Sequence, residues 1–206
     1  QGHLGVDVSQ FQGEIDWDAV ADDNIDFAMV RVGFRGTGTG SLNTDKYYEQ
    51  NIRGAMRAGL ETGVYFFAQA VTVEEAIEEA DYVISLLDGL DINGPVAYDW
   101  EMHDSTYRVY GTSPEMATAC AVAFCQRIKD AGYTPMVYGG TYVTYMKYDQ
   151  GALADYLSWY PEYKSEKSEK LCPTLVYHMD YWQFSSSRAV AGINGRVDMN
   201  IQFIRR

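Results

Sequence analysis

Four times before residue 138 a short apolar run gives way to a stretch whose apolar residues follow helical spacing, and this alternation limits the possible folds more than any other feature. Residues 2–8, 27–32, 63–68 and 94–100 read as strands; the segments opening near Trp17, Asp45, Thr72 and Ser113 read as helices. Asp45 is placed as the cap of the second helix and Gly59 as its stop, Thr72 with Glu75 as a capping box, and Ser113-Pro114 with Gly132 as the bounds of the fourth. Along the third helix Val73, Ala76, Ile77, Ala80, Ile84 and Leu87 share one face, so Glu74, Glu75, Glu78 and Glu79 read as its wet side. Residues 135–138 and 156–160 continue as strands, with short helical or irregular structure at 141–154 and a solvated Lys/Ser/Glu loop at 164–170. The tail changes character, with strands at 175–184 and 196–204 and no helix between them.

Strands joined through helices run parallel, and about eight of them in 206 residues predict one α/β domain over 1–206, an irregular TIM-like barrel whose last strands lack helices. An open doubly wound sheet is the alternative, but no Gly-rich phosphate loop accompanies it. A net charge of −13 without any Lys/Arg cluster argues against nucleic acid and against an anionic membrane surface. A neutral partner suits the chain better. Aromatic residues make up 14% of it, including 17 Tyr and 4 Trp, as a carbohydrate cleft would need. No run approaches the roughly 18 apolar residues of a membrane span. Cys120, Cys125 and Cys172 read as buried free thiols, and His3, His103 and His178 are too scattered for a zinc site, so neither metal nor cofactor is expected.

The fourth strand ends in Tyr98-Asp99-Trp100-Glu101. Alternation points Asp99 and Glu101 to one face, roughly 6.6 Å apart along the backbone, the scale on which glycosidases set two working carboxyls. Two acids at this spacing are also common on any wet strand. In a parallel barrel, however, chemistry gathers at the carboxyl ends of the strands, and Asp7, Asp99 with Glu101, Tyr138, Trp182 with Gln183, and Asp198 are all placed toward such ends. Tyr65, Tyr138, Trp159 and Trp182 are the rings nearest those acids in strand order and are candidates for stacking on sugar, with Gln183 as a polar contact.

Gly5-Val6-Asp7-Val8-Ser9, residues 51–65 (NIRGAMRAGLETGVY), Tyr98-Asp99-Trp100-Glu101 and residues 181–203 (YWQFSSSRAVAGINGRVDMNIQF) together resemble the glycoside hydrolase family 25 lysozymes, in that order along the chain. The resemblance implies an N,O-diacetylmuramidase that cuts peptidoglycan between N-acetylmuramic acid and N-acetylglucosamine, acting as a monomer, secreted or attached to the wall. It implies Glu101 as general acid, Asp99 as its partner, and Asp7 and Asp198 as flanking acids. Phe66 departs from it, standing where many members have His. The other readings are a catalytically inactive peptidoglycan-binding barrel, against which the intact acid pair counts, and a metal-dependent deacetylase, for which the ligand set is missing.

Overall fold

The computed structural model describes residues 2–163 and 172–204; the Lys/Ser/Glu run at 164–170 lies outside them. In chain order the elements are β1 Gly2–Val8, α1 Trp17–Asp22, β2 Phe27–Arg35, β3 Leu42–Thr44, α2 Tyr48–Arg57, β4 Glu61–Ala68, α3 Val73–Leu86, β5 Val96–Trp100, α4 Pro114–Asp130, β6 Pro135–Tyr138, α5 Thr141–Met146, β7 Leu157–Pro161, β8 Tyr181–Arg188 and β9 Val197–Phe203. The sheet runs β1-β9-β8-β7-β6-β5-β4-β2 and closes through a parallel β1–β2 pairing, with β3 hanging antiparallel on the edge of β2. The result is an eight-strand barrel with helices around its first part. Among the described residues no helix lies between β7 and β8 or between β8 and β9, and none is long and apolar enough to cross a membrane.

Strand alternation sorts the apolar side chains into two cores. Phe27, Met29, Ala97, Met136, Tyr138, Trp159 and Tyr181 fill the barrel interior. Val6, Val30, Val64, Phe66, Tyr98 and Trp100 point outward and pack beneath the helices. Gly5 marks how tight the interior is, because a Cβ there would lie 2.4 Å from the Phe27 ring. Phe66 is fully buried on the outer side, edge-on to Tyr82 with ring centroids 6.2 Å apart. The departure from the family pattern at Phe66 therefore falls outside the barrel interior.

Several local expectations are corrected. The helix at Tyr48 is capped by Tyr47 without a side-chain bond; Asp45 instead accepts from the Gln10 and Tyr47 amides and from Arg31 Nε at 2.9 Å, a buried charge held by a cation. Thr72 accepts from the Glu75 amide as a cap should, but the Glu75 carboxylate turns to Val71 N and Arg108, so only half of the capping box forms. The glutamate run is not all wet. Glu79 is fully buried, and its Oε1 accepts from Arg35 Nε at 2.7 Å and from the Gln69 amide at 3.0 Å. Residues 175–180 precede the strand expected there, which begins at Tyr181, and Cys172 is exposed while Cys120 and Cys125 are buried.

Candidate active site

The carboxyl ends of the strands surround a cavity of about 280 Å³, whose walls include Asp7, Arg31, Tyr65, Asp99, Glu101 and Asp198. Each acid reaches it by a traceable route. Asp7 is the last inward residue of β1, and Asp99 sits on β5 in register with Phe67 of β4 and Tyr138 of β6. Asp198 arrives from the opposite direction. It lies at the start of β9, not at a strand end as its place in the chain suggested; because β9 runs antiparallel to β1, Asp198 pairs directly with Asp7 at the same end of the barrel. A larger cavity of about 430 Å³ between α5 and β7 is bordered by Tyr148, Leu153, Tyr156 and Leu175, and among the described residues no carboxylate lines it.

Two side-chain amides hold the floor together. Gln183 Nε2 donates to Asp7 Oδ2 at 2.9 Å and to Asp198 Oδ2 at 3.3 Å, while its Oε1 accepts from Tyr163 at 2.8 Å and from Tyr138 at 3.2 Å. Asn200 Nδ2 donates to Asp7 Oδ2 at 2.8 Å, and its Oδ1 accepts from Trp159 Nε1 at 2.8 Å. Trp159 also stands edge-on to Tyr138 and Tyr65, with centroids 4.8 Å and 5.8 Å away. Tyr65, Tyr138, Trp159 and Gln183 are thus brought together in the cavity wall. Trp182 is not among the wall residues: its indole donates to Glu162 O at 2.9 Å and packs beside Phe184.

Burial makes the carboxyls reluctant to ionise. Asp7 is pushed up to about 7 by burial, then by the charge of Asp198, against the lowering effect of the Asn200 and Gln183 amides. Asp198 is pushed up to about 6 by burial and then by Glu101. Asp99 is raised well above its ordinary value, first by burial and next by the Glu101 charge and a hydrogen bond with that carboxyl. Its Oδ1 is buried with no hydrogen-bond partner, so Oδ2 is the oxygen left to face the cavity. Of the two acids of this strand end, Asp99 is the more deeply buried. The Glu101 side chain is 23% exposed, and Oε2 meets His103 Nε2 at 2.8 Å. Its backbone is held from the other side, where Gln69 Nε2 donates to Glu101 O at 2.8 Å.

Sequence reasoning missed Asn200, Tyr163, Arg31 and His103. For Asn200 a signal existed, since it lies two residues after Asp198 and strand alternation puts both on one face. For Arg31 the same alternation on β2 would have pointed it inward behind Met29. His103 lies beyond the strand, where no periodicity reports direction.

The sequence profile described as glycosyl hydrolases family 25 matches residues 6–193. The chain belongs to this family. Asp198 and Asn200 fall just past the matched span. The autolytic lysozyme of Clostridium acetobutylicum is 25% identical over 197 residues, covering 95% of this family 25 chain and 54% of that protein. The chain thus spans about half the length of that relative. Among solved structures, the bacterial lysozyme from Streptomyces coelicolor superposes with a TM-score of 0.77 at 25% identity, covering 97% of this chain and 91% of that one. The modular autolysin LytC from Streptococcus pneumoniae, in complex with a synthetic peptidoglycan ligand, superposes with a TM-score of 0.79 at 26% identity, covering 98% of this chain and 47% of that one.

Asp198→Asn separates the stability of the family 25 cleft from its chemistry. A carboxyl held at about 6 when folded, against 3.8 ordinarily, contributes stability that is fully present below 3.8 and is lost as pH rises to about 6. The variant should therefore melt at higher temperature than the parent at about pH 8, and the difference should close below about pH 4. Thermal unfolding across that range checks it. An unchanged difference at both ends would mean that Asp198 is not desolvated.

Proposed function

We propose that this family 25 chain is a muramidase, hydrolysing the β-1,4 bond between N-acetylmuramic acid and N-acetylglucosamine in bacterial peptidoglycan, at the wall and outside the cell. The observation that carries the reading is the convergence of Asp7, Asp99, Glu101 and Asp198 on one aromatic-walled cavity in a glycoside hydrolase barrel. Glu101 is the general acid. It is the most accessible member of the Asp99–Glu101 pair, with one carboxylate oxygen oriented by His103 and its backbone fixed by Gln69. Asp99 is raised well above its ordinary value, first by burial and then by the Glu101 charge, and it becomes the ionised partner as positive charge develops on the acetamido group against it.

In the forward step Glu101 gives its proton to the bridging oxygen as the C1–O bond breaks, and the carbonyl oxygen of the muramic acetamido group closes onto C1. Ionised Asp99 then accepts from the acetamido N–H and offsets the positive charge that develops there. In the return step water adds to C1, Glu101 takes its proton, and the oxazolinium ring opens. Asp7 and Asp198, pinned by Gln183 and Asn200, hold the floor and take no proton from substrate. Tyr65, Tyr138 and Trp159 wall the muramic site, and Gln183 ties two of the acids to two tyrosine hydroxyls.

Digestion of purified peptidoglycan, followed by mass spectrometry of the borohydride-reduced products, tests the function. New muramic acid reducing ends are expected. Glucosamine reducing ends would make the enzyme a glucosaminidase, and retention on the glycan without any product would favour the inactive binding barrel.

A further inference from the structure

Two separate contacts hold Glu101. Gln69 Nε2 donates to its backbone oxygen at 2.8 Å, and His103 Nε2 meets its carboxylate Oε2 at 2.8 Å. Both lead to Arg108, in the turns between β5 and α4. Arg108 Nη1 donates to the Gln69 carbonyl oxygen at 2.8 Å, and Tyr107, its neighbour in the chain, stands edge-on to the His103 ring with centroids 5.3 Å apart. The guanidinium is itself held on α3. Its Nη1 and Nη2 donate to Glu75 Oε2 and Oε1 at 2.7 and 2.8 Å, a two-pronged pairing that a lysine cannot reproduce. The Arg108 amide donates to Thr37 O at 3.0 Å, and Gly40, at φ +69°, leaves room for the guanidinium, since a Cβ there would lie 3.2 Å from Cζ.

We propose that Arg108 is a positioning residue for Glu101, fixing its backbone through Gln69 and its carboxylate through Tyr107 and His103. The acid role of Glu101 comes from the muramidase reading, on which the inference rests. Glu101 follows the last residue of β5, so the strand ladder ends before it. Residues 103–106 are exposed, and packing there does little to orient His103. The Arg108–Glu75 pair is poorly placed to contribute stability: its side chains are 22% and 26% exposed, and ion pairs open to water are worth little. A proton donor, by contrast, is sensitive to distance, and a misplacement of about 1 Å can cost about 10²-fold in rate. Loss of Arg108 should therefore show in turnover before it shows in unfolding.

Arg108→Ala, assayed on peptidoglycan at a temperature where it is folded, should lower kcat by about 10²-fold and leave KM within about twofold of the parent. Millimolar guanidinium ion should restore part of that kcat. It should restore nothing once Glu75→Ala is added, because the ion then has no carboxylate to seat it. Arg108→Lys and Glu75→Gln are gentler changes that should lose turnover to a smaller extent, and they carry the test if Arg108→Ala does not fold. Parental kcat in these variants, a loss confined to KM, or no recovery of folded Arg108→Ala with guanidinium would overturn the assignment. A readout free of turnover accompanies the kinetics: the displacement of the His103 NMR signals by the Tyr107 ring current should diminish in Arg108→Ala or Arg108→Lys, and unchanged signals would mean that His103 is held without Arg108. Failure of the muramidase reading is recognised separately, by a parent protein that leaves peptidoglycan intact while its His103 signals still respond to substitution of Arg108.

Discussion

Glu101→Gln should lower turnover of peptidoglycan by about 10²- to 10⁴-fold while leaving a folded protein, since a positioned general acid contributes on that scale. Gln keeps the shape and can still meet His103, but it has no proton to give the bridging oxygen. The same substitution has a second, independent consequence. The Glu101 charge is among the causes that raise Asp7, Asp99 and Asp198, so all three carboxyls should titrate lower in the variant. Kinetics on soluble glycan and carboxyl NMR titration measure the two effects. A variant with near-parental turnover would remove Glu101 from the acid role whatever the titrations give.

The largest expected loss of stability lies away from the cleft, in the charge network under α3. Arg35, 4% exposed, donates to buried Glu79 and to Glu78, and Glu79 passes the contact on through Gln69 to the backbone of Glu101. Burial already pushes Glu79 up to about 7, with Arg35 among the groups that hold it down. Arg35→Ala leaves that carboxylate buried without its cation, a change that costs about 3–5 kcal/mol when nothing replaces the partner. The sign with pH follows. Removing Arg35 raises the folded pKa of Glu79 further, so stability is retained near its unfolded value of 4.5 and lost as pH rises through the raised one. Denaturant unfolding should show a large deficit at about pH 8 and a smaller one at about pH 5. Arg35→Met combined with Glu79→Leu should recover much of it, because an apolar pair of similar volume needs no compensation. A deficit independent of pH and unrelieved by the second substitution would mean that packing around Arg35, not the pairing, carries the effect.

The barrel was legible because its information is local and repeated: alternation within strands, helical spacing between them, and Gly or Pro at the joints. The acid pair was legible for the same reason, since Asp99 and Glu101 lie on one strand and its extension. What escaped depends on partners far away in the chain. Glu79 has the sequence context of a wet helix face, and only Arg35, 44 residues earlier, makes its burial possible. Asp45 resembles a helix cap until Arg31 is seen beside it. The reversal of β9 leaves no local trace, yet it decides that Asp198 enters the cleft at the start of a strand. Trp182 was grouped with the cavity rings by strand order, but alternation along β8 gives the inward place to Gln183. Asn200, 193 residues from Asp7, could be joined to it only once β1 and β9 were paired.

The central claim is that Asp99 assists an acetamido group and neither attacks C1 itself nor activates a water. Backbone spacing alone favours the wider separation of an inverting pair. Proton NMR of the first-formed reducing end, recorded before mutarotation, distinguishes the routes. A β anomer is expected, together with resistance to cleavage of glycan that lacks the N-acetyl group on muramic acid; an initial α anomer would contradict the account.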